Sequence, residues 1–178
     1  MALEADYATS GNAITVTLPT LASQNAYRIL VNSAIAAAPA TYYEAHLLPE
    51  TNTPGVSYTV YAGTGSRDGT ATALNATAIG QEVTYTIAVA TAGVYDLRGG
   101  LKSGNTHAMM QLYVNGAAVG GPKDEYASGI AFYNDDYGNV SLPAGNSTLE
   151  FVAINKEPSS TDYTMAFDYF ELITLERN

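Results

Sequence analysis

The feature that most limits the fold of this chain is a series of short segments in which apolar and polar residues alternate. Ile14, Val16 and Leu18 belong to one segment, and residues 83–89 form another, with Val, Tyr, Ile and Val at alternate positions. A period of two places successive side chains on opposite faces of a β-strand. Because no helical period extends beyond two turns, we predict an all-β protein.

Turn signals separate these segments at short intervals. Asn115-Gly116, which follows alternating residues 110–114, is the commonest signature of a type I′ hairpin. A second turn at residues 143–146 joins two further apolar segments, and the last strand is predicted over residues 167–175. Short strands with frequent turns predict a two-sheet antiparallel β-sandwich of the jelly-roll, galactose-binding-like type.

The remaining stretches are less regular. Residues 42–48 are predicted as a strand and residues 52–72 as a Gly-rich polar span. The chain between Val119 and Val140 is rich in Asp and Tyr and is predicted as a polar loop.

The domain organisation is marked by a small-residue stretch, SAIAAAPA, at residues 33–40. Pro39 discourages a helix there, so we predict a connector. Residues 1–40 are then N-terminal strands, including one at residues 27–31, followed by that connector. They form either the tail of an upstream domain or extra strands of the domain at residues 41–178. A chain of 178 residues is long enough for one ordinary domain.

Composition excludes several partners. Seventeen acidic residues against seven basic ones give a net charge of −10, which repels phosphate backbones and anionic membranes. We therefore expect neither nucleic acid nor membrane as a partner, and no apolar run reaches the length of about 18 residues that a spanning helix needs. The absence of Cys excludes disulfides and thiol catalysis. The 14 Tyr could stack on sugars, although most Tyr in β-proteins are half-buried strand residues.

Four segments occur in an order and spacing that resemble carbohydrate-binding modules of families 6 and 35. They are YEAH at residues 43–46, GQEVTYTIAVATAGVYDL at 80–97, LYVNG at 112–116, and VSLPAGNSTLEF at 140–151 closing with FDYFEL at 167–172. The resemblance implies a jelly roll that holds structural calcium and binds a polysaccharide or oligosaccharide. It also implies a covalently linked glycoside hydrolase or polysaccharide lyase in a secreted, extracellular bacterial parent. We expect such a module to be monomeric.

The resemblance places two calcium ligands at Glu44 and Asp168. Period-two alternation puts Asp168 on the face of Phe170 and Leu172, so we expect it to point inward, where a lone carboxylate is costly. His46 stands where the family usually has a second Glu, and its imidazole nitrogen is a poor calcium ligand. The alternative is that Glu44 and Asp168 satisfy backbone amides or a nearby Arg.

The family's sugar site transfers less completely, because Asn75-Ala76, residues 130–133 and Ala166 lack its full set of Trp, Tyr and Asn. Neighbouring aromatic and planar polar residues are the candidates for sugar contact, with solvated loop residues as the alternative interpretation. They are Tyr58, Tyr61, Arg67, Tyr133, Asp135, Asp136, Tyr137, Asp162 and Tyr163, with Asp68, Lys156 and Glu157 as further polar partners. The acidic net charge favours neutral glycans such as xylan, mannan or β-glucan, while Arg67 or Lys156 could still bind a uronate.

Two other functions compete with sugar binding. A structural or adhesive β-domain would bind a protein partner instead. A glycosidase would need two facing carboxylates about 5–10 Å apart. The acidic candidates occur as adjacent pairs, Asp124-Glu125 and Asp135-Asp136, whose side chains point away from each other. His107 lies in no catalytic motif and is predicted as a surface loop residue, so we expect no enzymatic activity.

Overall fold

A computed structural model describes residues 6–10, 13–17 and 39–175. The chain forms two compact units, Met1–Ala37 with Glu176–Asn178, and Ala38–Leu175. In the first unit, β1 (Asp6–Ser10) and β2 (Ala13–Thr17) pair as an antiparallel hairpin. The predicted strand at residues 27–31 and residues 33–38 of the predicted connector lie outside the described residues, and the origin of residues 1–40 stays a prediction.

The second unit contains two antiparallel sheets. Its strands are β3 (Ala40–Glu44), β4 (Glu50–Asn52), β5 (Tyr58–Ala62), β6 (Thr70–Leu74), β7 (Glu82–Val89), β8 (Gly93–Ser103), β9 (Met109–Val114), β10 (Ala117–Asp124), β11 (Ala131–Leu142), β12 (Gly145–Asn155) and β13 (Met165–Thr174). One sheet has the order β10-β9-β12-β7-β4, and the other has the order β11-β8-β13-β6-β5, with β3 also paired to β13. The predicted all-β, two-sheet sandwich is confirmed.

The core lies between the sheets and is built by the alternation seen in the sequence. Val83, Tyr85, Ile87 and Val89 of β7 are all buried. Four aromatic rings meet at its centre, where burial of large apolar surface stabilises the fold and offset or tilted ring pairs add to it. These rings belong to Tyr85, Phe151, Phe167 and Phe170, with the Phe151 and Phe167 centroids 4.5 Å apart.

The predicted hairpin is also present. Asn115 has φ 50° and Gly116 has φ 81°, so both central residues adopt the left-handed conformation that a type I′ turn requires. The turn joins β9 to β10 with Val114 opposite Ala117. The register beside the turn was therefore predictable from two residues, whereas the shift between Val119 and Lys123 was not.

Three local predictions were wrong. The strand predicted over residues 42–48 ends at Glu44, and a 3₁₀ turn, Ala45–Leu47, follows it. The Gly-rich span at residues 52–72 contains all of β5 and the start of β6. The polar loop predicted between Val119 and Val140 contains the end of β10 and most of β11. The alternation of β11 is hidden because polar residues stand on both faces and a bulge interrupts it between Asp136 and Gly138. Across the described ranges, no helix is both long and apolar enough to cross a membrane.

Candidate functional site

The register of β3, β13, β8 and β11 assembles a polar face on the side of the sheet away from the core. Residues directly opposite each other in antiparallel strands share a face. Tyr169 lies opposite both Glu44 and Gly100, and Glu171 lies opposite both Tyr42 and Arg98. On β11, Asn134 pairs with Gly100, and Asp136 with Arg98. We call this surface the outer face, defined by Tyr42, Arg98, Asn134, Asp136, Tyr169 and Glu171.

The main feature of the outer face is Tyr42, an exposed tyrosine whose ring is held in place by neighbouring side chains. Tyr42 is 43% exposed. Its ring meets that of Tyr169 edge-on with centroids 5.5 Å apart, and the Arg67 guanidinium carbon lies 4.1 Å from its centroid. The Tyr169 hydroxyl donates to Oδ1 of Asn134 at 2.7 Å. These contacts hold an aromatic ring in a fixed position at the surface.

Planar charged groups flank this ring. Arg98 donates from Nη2 to Oδ2 of Asp96 at 2.8 Å and from Nε at 3.1 Å. A hydrogen bond with Glu171 raises the pKa of the Tyr42 hydroxyl, with smaller contributions from burial and from the negative charge of Glu171. The outer face therefore offers an aromatic ring together with amide, guanidinium and carboxylate groups.

A cluster of carboxylates adjoins the outer face. We call Glu44, His46, Arg67, Asp68 and Asp168 the carboxylate cluster. Glu44 ends β3, His46 lies in the 3₁₀ turn, Arg67 and Asp68 lie between β5 and β6, and Asp168 belongs to β13. One donor atom from each of Glu44, His46 and Asp68 lies within 4.8 Å of the others. Nε2 of His46 is 3.5 Å from Oδ2 of Asp68.

Arg67 links the two predicted metal ligands. Its guanidinium pairs with Oε1 of Glu44, and its backbone N–H donates to Oδ2 of Asp168 at 2.8 Å. The alternative interpretation is therefore partly correct, because Glu44 pairs with an Arg and Asp168 accepts from a backbone amide. It does not account for every atom of the cluster.

Several polar atoms of the cluster are buried and lack a hydrogen-bond partner among the described residues. They are Oε2 of Glu44, Nδ1 of His46 and Oδ1 of Asp168. Burial raises the pKa of Asp168, and the Arg67 backbone N–H partly offsets this effect. Because a buried polar atom without a partner costs free energy, the cluster is suited to a bound cation.

Asp168 is buried, but alternation along β13 does not by itself place its carboxylate. A bulge between Phe167 and Tyr169 breaks the alternation, so both Phe167 and Phe170 enter the core. The carboxylate of Asp168 instead meets the Arg67 backbone. A two-residue period cannot be extended through a bulge, because the extra residue changes which side chains face inward.

The donor set of the cluster fits a divalent cation but only partly fits calcium. Calcium takes hard oxygen ligands, which Glu44, Asp68 and Asp168 supply. His46 offers an imidazole nitrogen at the same place, and calcium disfavours that donor.

The sugar-contact candidates on β5 are set back from the surface. Tyr58 packs against the core, with its hydroxyl 3.4 Å from that of Tyr85. The Tyr61 hydroxyl is buried without a hydrogen-bond partner in the part of the chain that the structure describes, and Nζ of Lys102 lies 4.8 Å from its ring centroid. Arg67 is the candidate that reaches both the cluster and the outer face.

The candidates on β11 divide between the two sides of the sheet. Asp136 lies on the outer face, whereas Tyr133 and Asp135 lie on the inner side, opposite core-facing positions of β8. The Tyr133 hydroxyl donates to Oε2 of Glu125, and Oδ1 of Asp135 accepts from Lys123 at 2.6 Å.

Tyr137 lies in strand β11 and not in the exposed polar loop that the sequence predicts. Its side chain is buried in the core, and its ring centroid lies 6.0 Å from that of Phe151. The expectation failed because residues 131–142 form strand β11, where Tyr137 follows Tyr133 and Asp135 on the inner side. A ring in this position is not available to stack on a sugar.

The candidates before β13 form a separate group. Nζ of Lys156 lies 4.8 Å from the Tyr163 ring centroid, and the Tyr163 N–H donates to the Ala76 carbonyl at 3.2 Å. Oδ1 of Asp162 accepts from the same segment, at the Tyr163 N–H, rather than reaching outward. Glu157 lies at the start of this connection.

Two further expectations concern the possible catalytic groups. His107 is 4% exposed rather than a surface residue, and its pKa falls to about 4, chiefly because of burial. Glu125 is fully buried, which raises its pKa to about 8. A carboxyl group without exposed surface cannot reach a polysaccharide, so Glu125 is not placed to serve as half of a glycosidase pair.

The sequence did not predict a binding role for five residues of the outer face, namely Tyr42, Tyr169, Asn134, Arg98 and Glu171. A signal was present, since Tyr42 and Glu44 are two residues apart, as are Tyr169 and Glu171. The sequence does not show that β3 and β13 are paired neighbours, which places these residues side by side.

No protein-family model matches the chain, and no curated protein matches it. Solved structures match it at the level of fold. A xanthan lyase from Paenibacillus superposes with a TM-score of 0.71 and 23% identity, over 80% of this chain and 14% of the lyase. A GH26-CBM35 β-(1,4)-mannanase from Podospora anserina gives 0.57 and 18%, over 80% of this chain and 29% of the mannanase.

An isolated module gives a more direct comparison. The CBM36-1 domain of a multidomain xylanase from the hindgut metagenome of Trinervitermes trinervoides superposes with a TM-score of 0.51 and 19% identity, over 78% of this chain and 100% of the domain. The fold is that of carbohydrate-binding modules. The resemblance noted in the sequence is confirmed at this level, while the chain spans less than a third of either matched enzyme.

Proposed function

We propose that this chain is a non-catalytic carbohydrate-binding module that holds a neutral polysaccharide on the outer face. The observation that carries the proposal is the exposed ring of Tyr42, braced by Tyr169 and Arg67, on a fold shared with isolated carbohydrate-binding modules.

The chemistry of the outer face suits a pyranose. The apolar face of a sugar ring packs on a tyrosine ring, whose hydroxyl still bonds to solvent or ligand. Vicinal hydroxyls pair with planar carboxylate or guanidinium groups through two hydrogen bonds. Glu171 lies between Tyr42 and Arg98 in register, so Glu171 and Arg98 are the groups that we assign to this role.

The charges favour a neutral chain over a uronate. Arg67 is paired with Glu44, and Arg98 with Asp96. A uronate would have to compete with these internal carboxylates, on a chain whose net charge is already −10. Xylan, mannan and β-glucan are the neutral polymers that we propose to test first.

A linked enzyme completes the proposal. The two matched enzymes each carry this fold as a minor part of a longer chain. A module of this kind raises the local concentration of a tethered catalytic domain on its polymer, without adding a contact to the reaction. Secretion from a bacterium, a monomeric state and a linked glycoside hydrolase or polysaccharide lyase all belong to this proposal.

A divalent cation at the carboxylate cluster also belongs to it. Glu44, Asp68 and Asp168 would supply oxygen ligands, and the ion would join the end of β3 to β13 beside the outer face. Calcium is the ion that the family resemblance implies, and retardation measured with and without a chelator tests whether saccharide binding depends on a cation.

Affinity electrophoresis against xylan, mannan, β-glucan and a uronate-rich polymer tests the function. We expect retardation by a neutral polymer, with no release of reducing sugar. Tyr42→Ala should abolish the retardation, whereas Tyr113→Ala should preserve it, because Tyr113 is a half-buried tyrosine of the other sheet that pairs with Glu150.

The outcomes separate the competing functions. Retardation that survives Tyr42→Ala and is lost in Lys156→Ala would move the site to the group before β13. Absence of retardation by every polymer would overturn carbohydrate binding and favour an adhesive domain with a protein partner.

A further inference from the structure

We propose that the carboxylate cluster is a site for a borderline divalent cation of the zinc type, and that His46 is the ligand that makes it prefer this cation to calcium. The proposal rests on the cluster alone and does not depend on whether the outer face binds saccharide.

The spacing of the donors suits a small cation. Nε2 of His46 and Oδ2 of Asp68 are 3.5 Å apart. Two ligands placed at about 2.0–2.1 Å from a tetrahedral zinc ion are about 3.3 Å from each other. A Glu44 carboxylate oxygen completes a set of three donor atoms within 4.8 Å of one another. Glu44 and His46 are two residues apart, and the fold brings Asp68 to them from the connection between β5 and β6.

A second observation points independently to a ligand. Asp168 is 4% exposed, and its Oδ1 has no hydrogen-bond partner among residues 39–175. Its Oδ2 accepts from the backbone N–H of Arg67, the residue next to Asp68, so the carboxylate lies at the same cluster. Oε2 of Glu44 is buried and unpartnered over the same range. Buried carboxylate oxygens are ordinarily satisfied by donors or metals, and a cation would satisfy both.

The charge of the cluster is consistent with a divalent ion. Glu44, Asp68 and Asp168 contribute three negative charges, and Arg67 contributes one positive charge. With neutral imidazole at His46, the sum is −2. The Arg67 guanidinium pairs with Oε1 of Glu44, which leaves Oε2 as the available ligand atom.

The imidazole decides which ion is preferred. Imidazole nitrogen is a good ligand for zinc, copper and nickel, whereas calcium prefers a shell of six to eight oxygens. At this position calcium would gain a poor ligand and lose an oxygen. The preference should therefore be removable by changing one side chain.

Isothermal titration of the tag-free chain, stripped with EDTA and dialysed, tests the proposal with ZnCl₂ and CaCl₂ as the probes. We expect one zinc ion per chain, bound more tightly than calcium. His46→Ala should weaken zinc binding about tenfold or more, and His46→Glu should reverse the order of the two ions. Asp136→Asn, which removes an exposed carboxylate of the outer face, is the matched control and should bind both ions as the wild type does.

A measurement on the wild type alone keeps the test decisive if a variant fails to fold. The chain has two His, and His107 is buried. Imidazole NMR resonances of His46 should therefore shift up to one equivalent of zinc, while those of His107 stay in place. The proposal is wrong if calcium binds as tightly as zinc, if neither ion binds, or if zinc leaves the His46 resonances unmoved. Saccharide retardation is scored separately in zinc, calcium and EDTA, so failure of the outer face and failure of the metal site give different results.

Discussion

The ring of Tyr169 covers Gly100 on the neighbouring strand β8, so closely that a Cβ on residue 100 would stand 2.6 Å from Cδ1 of the ring. The two residues are opposite each other in register. Tyr169 in turn braces Tyr42 and donates to Asn134. The absence of a side chain at Gly100 therefore sets the position of the whole aromatic group on the outer face.

Gly100→Ala should displace the Tyr169 ring and weaken saccharide retardation. Inserting a methyl group into this contact should also cost about 1–3 kcal/mol of stability. Urea unfolding and affinity electrophoresis measure the two effects. Gly129→Ala is the control, because a Cβ there meets no atom within 4 Å and its φ is not left-handed. Unchanged retardation in Gly100→Ala would show that the ring is not part of the binding surface.

Two tyrosines that look alike in the sequence should respond oppositely. Tyr137→Ala removes a core ring next to Phe151 and should cost about 3–5 kcal/mol in urea unfolding. Tyr42→Ala removes a surface ring and should cost about 1 kcal/mol, the value of an aromatic pair, while saccharide binding is lost. Tyr137→Phe is the matched control, since it keeps the ring and removes a buried hydroxyl without a partner in the described chain. A large loss of stability in Tyr42→Ala, or none in Tyr137→Ala, would contradict these placements.

The strands that could be predicted are those in which sequence pattern and burial coincide. In β7 the apolar residues at positions 83, 85, 87 and 89 are also the buried ones. In β11 the inner side carries Tyr133 and Asp135, which are half-buried because they meet Glu125 and Lys123. The pattern of β11 is polar because its partners are polar, and nothing near it in the sequence identifies those partners.

The cluster could be predicted only in part, at Glu44, His46 and Asp168. Glu44 and Asp168 follow from the family resemblance, but Asp68 was considered only as a sugar partner. It joins the cluster because the connection from β5 to β6 returns to β13, where the Arg67 backbone bonds Asp168 across 101 residues. Contacts of this range depend on strand order, which a single sequence does not reveal.

Lys123 and Asp135 connect the edge strands of the two sheets. Nζ of Lys123 donates to Oδ1 of Asp135 at 2.6 Å and to the Asp136 carbonyl at 3.0 Å. Lys123→Met keeps the aliphatic stem but removes the charge, so it should cost about 2 kcal/mol, as expected for a hydrogen bond to a charged group. The double variant Lys123→Met/Asp135→Asn should recover part of this loss, which urea unfolding in a double-mutant cycle measures. Lys156→Met is the control. An equal loss of stability in Lys156→Met would show that the Lys123–Asp135 pair makes no specific contribution.

Glu125 should make the fold less stable as the pH rises. Its carboxyl group is fully buried, with Tyr133 donating to Oε2 and no hydrogen bond to Oε1 from the described residues. Burial raises its pKa from 4.5 to about 8, and the nearby charges of Asp135 and Asp124 act in the same direction. Between these two values the unfolded chain releases a proton that the folded chain keeps. Stability should therefore fall across this window, with a slope of up to about 1.4 kcal/mol per pH unit, and level off above it.

Glu125→Gln isolates this effect, because the amide keeps the shape of the side chain and does not titrate. Urea unfolding at about pH 5, 6.5 and 8 should give a variant whose stability depends less on pH than that of the wild type, with the largest gain at the alkaline end. Glu157→Gln is the matched control, since it changes a half-buried carboxylate in a loop and should retain the wild-type slope. If Glu125→Gln and the wild type lose stability in parallel, the proton is not held at Glu125. The buried carboxyl between β10 and β11 would then be ionised and stabilised by Lys123 and Tyr133 instead.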